Sequence, residues 1–258
     1  MSEESFWDSR WLAGFEPGDH EKEKISALLK MVPDGLDGIL DVGCGPGWMM
    51  EALGGRCQQI VGIDFSTAAL AEFTLPKAAA SGINLPFKDN SFDLILCTEV
   101  LEHYLHDELD LAVAELCRVS RNYILVSTPF NENRNLNKAR CALCLTEFHS
   151  SLHMRSFDEK KLSNLFQLHG LGVNIACKTG RSPYRSALLG QLNSMLTGYY
   201  HVYYEGMQCP VCGNVKFDRP RARVNPVSLV LEGMNWMLGK CLPSRSHNVV
   251  VLFEKRRD

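Results

Sequence analysis

Two groups of residues in this chain of 258 have the type and spacing to do chemistry. The first is Asp41-Val42-Gly43-Cys44-Gly45-Pro46-Gly47, followed by Asp64. Glycines at alternate positions let a backbone turn tightly and let a ligand lie against it without meeting a Cβ. The run Trp48–Leu53 is helix-competent and would point its N-terminal N–H groups at that ligand. Asp64 stands about 20 residues after the loop, at the end of a second apolar run, where two carboxylate oxygens can accept both hydroxyls of a ribose. The second group is Cys141-x-x-Cys144 with Cys209-Pro-Val-Cys212-Gly213. Two such pairs suit a tetrahedral four-thiolate zinc site, with Gly213 allowing the tight turn after the second pair. Leu145 stands where the first pair would want a glycine. His149 and His153 follow closely, so a two-cysteine, two-histidine set stays open, as do plain reduced thiols or a redox pair.

A nicotinamide dinucleotide site also uses a strand-end acid, but it wants G-x-G-x-x-G. Here the spacing is G-x-G-x-G, and Asp41 lies just ahead of it. An acid at that place repels a pyrophosphate and suits a cationic or zwitterionic ligand. The residues describe a site for a nucleoside that carries a positive group, which fits S-adenosylmethionine.

The elements that must position these groups alternate. Apolar runs read as strands at 39–42, 59–64, 78–80 (weak), 92–97 and 122–127, the last stopped by Pro129. Helical runs lie at 1–30 (one or two helices), 67–73 with Ser66 as N-cap, and 107–119. This alternation predicts an α/β fold with a doubly wound, mostly parallel sheet, whose ligand sits at the carboxyl ends of the strands. That rim carries the glycine loop, Asp64, the region Ser81–Asn84, and Thr98–Glu99. After Phe130 the pattern breaks. A helix over 158–168, capped near Ser156, and a strand over 173–178 resume it, and 248–253 closes the chain as a further strand. Two irregular blocks interrupt, at 131–156 and 179–246, the second with helical stretches at 184–200 and 227–238. The division expected is an N-terminal helical lid (1–34), a core (35–130, 157–178 and 247–258) and two capping insertions (131–156 and 179–246). Both insertions leave carboxyl ends of strands, so zinc would clip them into one cap over the ligand rim.

Composition bounds the reading. The chain is 45% hydrophobic and 22% charged, ordinary for a globular protein. No run of about 18 apolar residues suggests a spanning helix, and the N-terminus lacks the basic-then-apolar order of a signal peptide. With ten cysteines, that context predicts a reducing, cytoplasmic setting. Residues 1–117 hold 7 Lys+Arg against 21 Asp+Glu, while 118–258 hold 20 against 9. The basic second half either meets something anionic or packs on the acidic first half. His149, His153 and Arg155 are the candidates to address an anionic substrate group.

Four motifs then appear in order: Leu40-Asp41-Val42-Gly43-Cys44-Gly45-Pro46-Gly47, Val61-Gly62-Ile63-Asp64-Phe65-Ser66, Leu85-Pro86-Phe87-Lys88-Asp89-Asn90-Ser91-Phe92-Asp93 and Val100-Leu101-Glu102-His103. With these the chain resembles the class I S-adenosylmethionine-dependent methyltransferases of the ubiquinone/menaquinone type. The resemblance implies a seven-stranded, Rossmann-like methyltransferase sheet. It implies that Gly43, Cys44, Gly45 and Gly47 surround the methionine part and Asp41 supports its ammonium group. Asp64 would hold the ribose, Phe65 would flank the adenine with Ser66 beside it, and Thr98 and Glu99 would face the sulfonium. The family's acid four residues before Leu-Pro-Phe is replaced by Ser81, leaving the adenine amino group to Gly82, Ile83 or Asn84. Glu99 and His103 are the candidate general bases. The expected function is methyl transfer from S-adenosylmethionine to a small or lipid-linked metabolite that carries a phosphate or carboxylate. An RNA or protein methyltransferase gripping its partner with the basic cap, and a cofactor-binding protein without catalysis, are the alternatives.

Overall fold

The computed structural model describes residues 3–14, 16–71, 74–135, 137–180, 188, 189, 192, 204, 206–215, 217, 226–241 and 246–256. Two helices lead, α1 (Glu3–Leu12) and α2 (Asp19–Met31). Then come β1 (Leu36–Val42), α3 (Trp48–Ala52), β2 (Cys57–Asp64), β3 (Lys77–Ala79), β4 (Phe92–Thr98), α4 (His106–Val119) and β5 (Ser120–Pro129). A small hairpin, β6 (Lys138–Arg140) with β7 (Glu147–His149), precedes α5 (Glu159–Gln167) and β8 (Leu171–Thr179). Helix α6 (Pro226–Cys241) and strand β9 (Asn248–Lys255) complete the described elements.

The sheet has seven strands in the order β3-β2-β1-β4-β5-β9-β8. The first five strands run parallel, and β9 enters antiparallel between β5 and β8. Alternate side chains fill the two faces, as a period of two requires. Leu40, Ile95, Ile124 and Val251 join one buried cluster with Val113 and Leu116 of α4 and Phe166 of α5. Ile39, Leu94, Leu125 and Val250 join the other with Leu28 and Met31 of α2. Both faces are covered, so the central strands read as continuous apolar runs. The ends of β1, β2 and β4 form one rim, because Val42 pairs with Ile63 on one side and Cys97 on the other.

Several expectations change. Residues 67–70 form turns, not the start of a helix over 67–73. Ser66 Oγ does accept from Ala69 N (3.2 Å), but it also bonds Asp8 Oδ1 (2.5 Å). Pro76 disfavours α backbone at Leu75, which leaves too few residues to repay helix nucleation. The N-cap of α5 is Asp158, whose Oδ1 accepts from Lys161 N at 2.8 Å, rather than Ser156. The β6–β7 hairpin pairs only three residues a strand, too short to show a period in the sequence. The stretch 184–200 lies almost entirely outside the described residues. Among the described residues no helix is long and apolar enough to cross a membrane.

The Leu-Pro-Phe loop is held by a residue with no signal of its own. Arg118 donates to the carbonyls of Phe87 (2.7 Å) and Leu85 (3.1 Å), and its guanidinium is fixed by Glu115 (2.6 and 2.8 Å). Glu115 in turn accepts the N–H of Leu85 at 2.7 Å. Helix α4 thereby fixes the loop that leads into β4.

Candidate functional site

Strand β1 delivers Asp41 to the rim. The chain then turns through Gly43 (φ 72°), Gly45 (φ 52°) and Gly47 (φ 88°). A Cβ on Gly43 would sit 2.3 Å from Val100 Cγ2, so this turn requires glycine. The loop's N–H groups are spent inside the protein. Gly43 and Cys44 donate to Ile63 O (2.8 and 3.0 Å), Gly47 to Cys44 O (3.0 Å), and Gly45 to Asp64 Oδ2 (2.9 Å). Helix α3 has five residues, too short for an effective dipole. The expectation that a helix N-terminus greets the ligand is therefore replaced by close backbone approach and two carboxylates.

Those carboxylates differ. Asp41 is buried, and neither oxygen has a partner. Burial, and then the charge of Asp64, push its pKa up to about 7. Asp64 is also raised by burial, but the N–H groups of Ser66 and Gly45 (2.9 Å each) hold it the other way. Asp41, Gly43, Cys44, Gly45, Thr98 and Glu99 line one cavity of ≈ 270 Å³. Asp64, Phe65, Gly82, Val100 and Tyr104 line an adjoining recess of ≈ 90 Å³. Gly47 caps α3 and lines neither. Ser66 is buried against Asp8, and Ser81, Ile83 and Asn84 form a turn outside the recess. Only Gly82 of that turn reaches it, so close to Tyr104 that a Cβ would lie 2.2 Å from the hydroxyl. Trp7 and Trp11 of α1 line both spaces, and no motif marked them or Tyr104 as site residues.

At the end of β4, Glu99 adopts φ 57°, strained for a non-glycine residue. The conformation is over-determined: its carboxylate accepts from Ser127 Oγ (2.8 Å) and from Asn248 Nδ2 (2.8 and 2.9 Å), and Lys24 Nζ stands at 3.6 Å. Beyond it, His103 lies edge-on to Trp7 (4.8 Å) and to His153 (4.9 Å). Burial, then His153, hold its pKa well below the usual imidazole range, and its Nδ1 has no partner. Glu102 is buried with both oxygens unpartnered, and burial followed by the Glu99 charge raises it well above the carboxylate range. Glu102, His103 and His153 bring ligand atoms within 4.8 Å of one another, a spacing open to a divalent cation or to a shared proton.

A third cavity, ≈ 730 Å³, opens on the same two histidines and is lined by Glu132, Arg134, Lys138 and His149. His153 Nδ1 meets Glu132 Oε2 at 2.6 Å. His149 Nδ1 accepts the N–H groups of Ser151 and His153 (3.2 Å each), which places its proton on Nε2, 3.3 Å from Glu132 Oε1. Both rings are thus engaged by Glu132 and neither joins the cysteines. Arg155 does not line this cavity, because its guanidinium donates to Tyr104 O at 2.7 Å. Arg134 and Lys138 supply the positive charge there instead.

The four cysteines do converge. Cys141 Sγ lies 3.5 Å from Cys212 Sγ, Cys144 Sγ lies 3.5 Å from Cys209 Sγ, and all four sulfurs fall within 4.8 Å. A tetrahedron of thiolates around zinc, with bonds of ~2.3 Å, sets sulfurs ~3.8 Å apart, whereas a disulfide needs ~2.05 Å. The two knuckles repeat one hydrogen-bond pattern: Leu145 N to Cys141 O (3.0 Å) and Cys141 N to Thr146 O (3.0 Å), then Gly213 N to Cys209 O (2.9 Å) and Cys209 N to Asn214 O (2.9 Å). Gly213 has φ 72° and Leu145 has φ 61°. Leu145 therefore occupies the left-handed position that favours glycine, and its side chain is exposed. Leu145→Gly should stabilise the knuckle by about 1 kcal/mol, read as a higher thermal midpoint of the zinc-loaded chain.

A methyltransferase-domain family model matches residues 40–123, which contain the glycine loop, Asp64 and Glu99–His103. An uncharacterized protein of Methanocaldococcus jannaschii is 32% identical over 139 residues, 53% of this chain and 60% of that protein. The ubiquinone biosynthesis O-methyltransferase of Pseudomonas fluorescens is 36% identical over 76 residues, 25% of this chain and 32% of its own length. The chain thus spans less than two thirds of these relatives. Among solved structures, the complex of the Haloferax volcanii Trm112 methyltransferase activator with a methyltransferase gives a TM-score of 0.60 at 14% identity, covering 100% of this chain and 99% of that one. The N-methyltransferase NodS of Bradyrhizobium japonicum with S-adenosyl-L-homocysteine gives 0.57 at 12%, covering 99% and 100%. At such identities these two likenesses carry the fold alone. Joined to the sheet order, they show a class I, Rossmann-like methyltransferase fold, within which residues 40–123 match the methyltransferase domain.

Proposed function

We propose that this chain moves the methyl group of S-adenosylmethionine to a small or lipid-linked metabolite seated between the rim and a zinc-bound cap. The observation that carries the reading is the unpartnered buried carboxylate of Asp41 beside Asp64. A buried anion without a partner is costly unless a cation arrives, and the ammonium group of the cofactor is such a cation. Asp64 keeps lone pairs free for the ribose hydroxyls while its backbone bonds set its angle. Phe65 and Gly82 flank the space for the adenine. Segment 131–156 and the part of 179–246 around Cys209 and Cys212 act as the cap, and Cys141, Cys144, Cys209 and Cys212 would hold a structural zinc with no open position.

The reaction is a displacement at the methyl carbon. Bound S-adenosylmethionine would supply an electrophilic methyl group for an acceptor atom approaching opposite the sulfur, with S-adenosylhomocysteine as the leaving group. Protein residues chiefly align the two partners and exclude water. Trp7 and Trp11 cover the donor side. Glu99, locked by Ser127 and Asn248, would present its carboxylate to the reacting end of the cofactor. His103 is kept neutral by its surroundings, so it can take the proton that an oxygen or nitrogen acceptor gives up. His103→Gln should lower kcat about a hundredfold with S-adenosylhomocysteine affinity nearly unchanged. Because its folded pKa lies below the ordinary value, the base form dominates from neutral pH upward, and kcat should stay flat from about pH 6.5 to 8. Incubation with methyl-labelled cofactor and cell extract, followed by size fractionation, tests the acceptor class. Label in the small-molecule or lipid fraction supports the reading. Label confined to RNA or protein assigns the acceptor to a macromolecule, and no label in any fraction overturns the activity.

A further inference from the structure

Helix α6 has an outward side that nothing in the described chain covers. Its half-buried side chains, Leu231, Asn235 and Leu238, recur at i, i+4 and i+7 and share one line along the helix. The remaining circumference carries Leu229, Val230, Met234, Trp236 and Met237, each between 46% and 64% exposed. An apolar stretch of this extent on a surface marks a place of contact. The sequence around it is basic. Lys240 sits in the last turn with Nζ 3.6 Å from the Trp236 ring centroid. The sequence places Arg219, Arg221 and Arg223 shortly before the helix and Arg245 shortly after it.

We propose that α6 docks this chain onto a lipid bilayer with anionic headgroups, lying within the interface rather than crossing it. Sixteen residues give a helix of about 24 Å, below the ~20 apolar residues a crossing needs. An apolar side entering the acyl boundary, with Trp and basic residues at headgroup level, is how interfacial helices bind. Charge decides between the bilayer and a second copy. The sequence over 219–245 carries five Lys and Arg against one acid, Glu232, so pairing two copies brings like charge together, whereas anionic headgroups neutralise it. Docking is independent of which acceptor is methylated. It would, however, set the enzyme where a lipid-linked acceptor resides.

The test is sedimentation of the full chain with vesicles of phosphatidylcholine alone or mixed with phosphatidylglycerol. The wild-type chain should pellet with the mixed vesicles, weakly with the neutral ones, and less as salt rises. Trp236→Glu with Met237→Glu should weaken partitioning about tenfold or more, with circular dichroism and S-adenosylhomocysteine binding unchanged. A wild-type chain that stays in the supernatant with both vesicle types overturns the proposal. So does a folded double variant that partitions like wild type. A wild-type dimer that the double variant converts to monomer, without vesicle binding, assigns α6 to self-association and overturns it equally. Cofactor binding serves as the control, so failure here leaves the methyltransferase reading standing.

Discussion

Replacing Asp41 by Asn should stabilise the ligand-free chain at pH 8 and weaken S-adenosylhomocysteine binding about a hundredfold. Both effects have one cause. Burial lifts the folded pKa of Asp41 to about 7, against 3.8 for an ordinary aspartate. Between those values the folded state binds more protons than the unfolded one, so stability falls as pH rises and the loss is complete above about 7. Three pK units correspond to at most ~4 kcal/mol, and Asn, neutral throughout, should recover about 2 kcal/mol because its own amide is left short of partners. The ligand arm runs the other way. A cofactor ammonium converts the orphaned carboxylate into a buried pair, and removing one partner of such a pair costs about 2–5 kcal/mol. In the wild-type chain, affinity should therefore rise as pH increases through about 7, with proton release seen by calorimetry in buffers of different ionisation enthalpy. Denaturant melts at pH 5 and pH 8 complete the check: the Asn variant should gain over wild type at pH 8 and lose that gain at pH 5. An Asn variant that binds as tightly as wild type would remove Asp41 from the cofactor site.

Stripping the metal should release the cap and leave the sheet folded. A four-thiolate zinc contributes on the order of 10 kcal/mol to the small module that it organises, and the sequence separation of 65 and 71 residues between the paired sulfurs makes it a long-range clip. Cys141, Cys144 and Cys209 pack with Ala139, Phe148 and Met207 in a cluster separate from the two that flank the sheet. Cys209→Ser, or a chelator at neutral pH, should therefore abolish stoichiometric zinc and make the segment around 204–217 sensitive to protease. The strands should keep their far-ultraviolet signal, and S-adenosylhomocysteine affinity should fall by less than about tenfold. Turnover should fall further, because the ≈ 730 Å³ cavity shares Phe148 and Pro210 with the cap. Zinc analysis of the purified chain is decisive on the first point: a preparation without metal and with ordinary thiol reactivity at all four cysteines would contradict the site.

Much of this was legible in the sequence because it depends on local rules. Ile39, Leu94 and Ile124 announce a sheet covered on both faces, since buried strands need unbroken apolar runs. The glycines announce a turn, since Gly43 leaves no room for a Cβ beside Val100. The cysteine spacing announces that Cys141, Cys144, Cys209 and Cys212 converge, even to the misfit at Leu145. What stayed hidden depends on distance along the chain. Trp7 and Trp11 reach the rim only through the docking of α1, by Asp8 on Ser66 Oγ and by Ser9 Oγ on Gly206 O (2.7 Å), and no spacing encodes either contact. Arg155 carries the right charge for a substrate anion, yet the carbonyl of Tyr104 claims it. The helix expected at 67–73 had a good cap in Ser66 but lacked the length to propagate.

The most direct test of the cofactor site is a crystal structure of the full chain soaked with S-adenosylhomocysteine. The predicted result is one molecule with its amino group against Asp41, its ribose hydroxyls on Asp64 and its adenine between Phe65 and Gly82. Density for the cofactor elsewhere, or none at saturating ligand with both carboxylates still bare, would contradict the account.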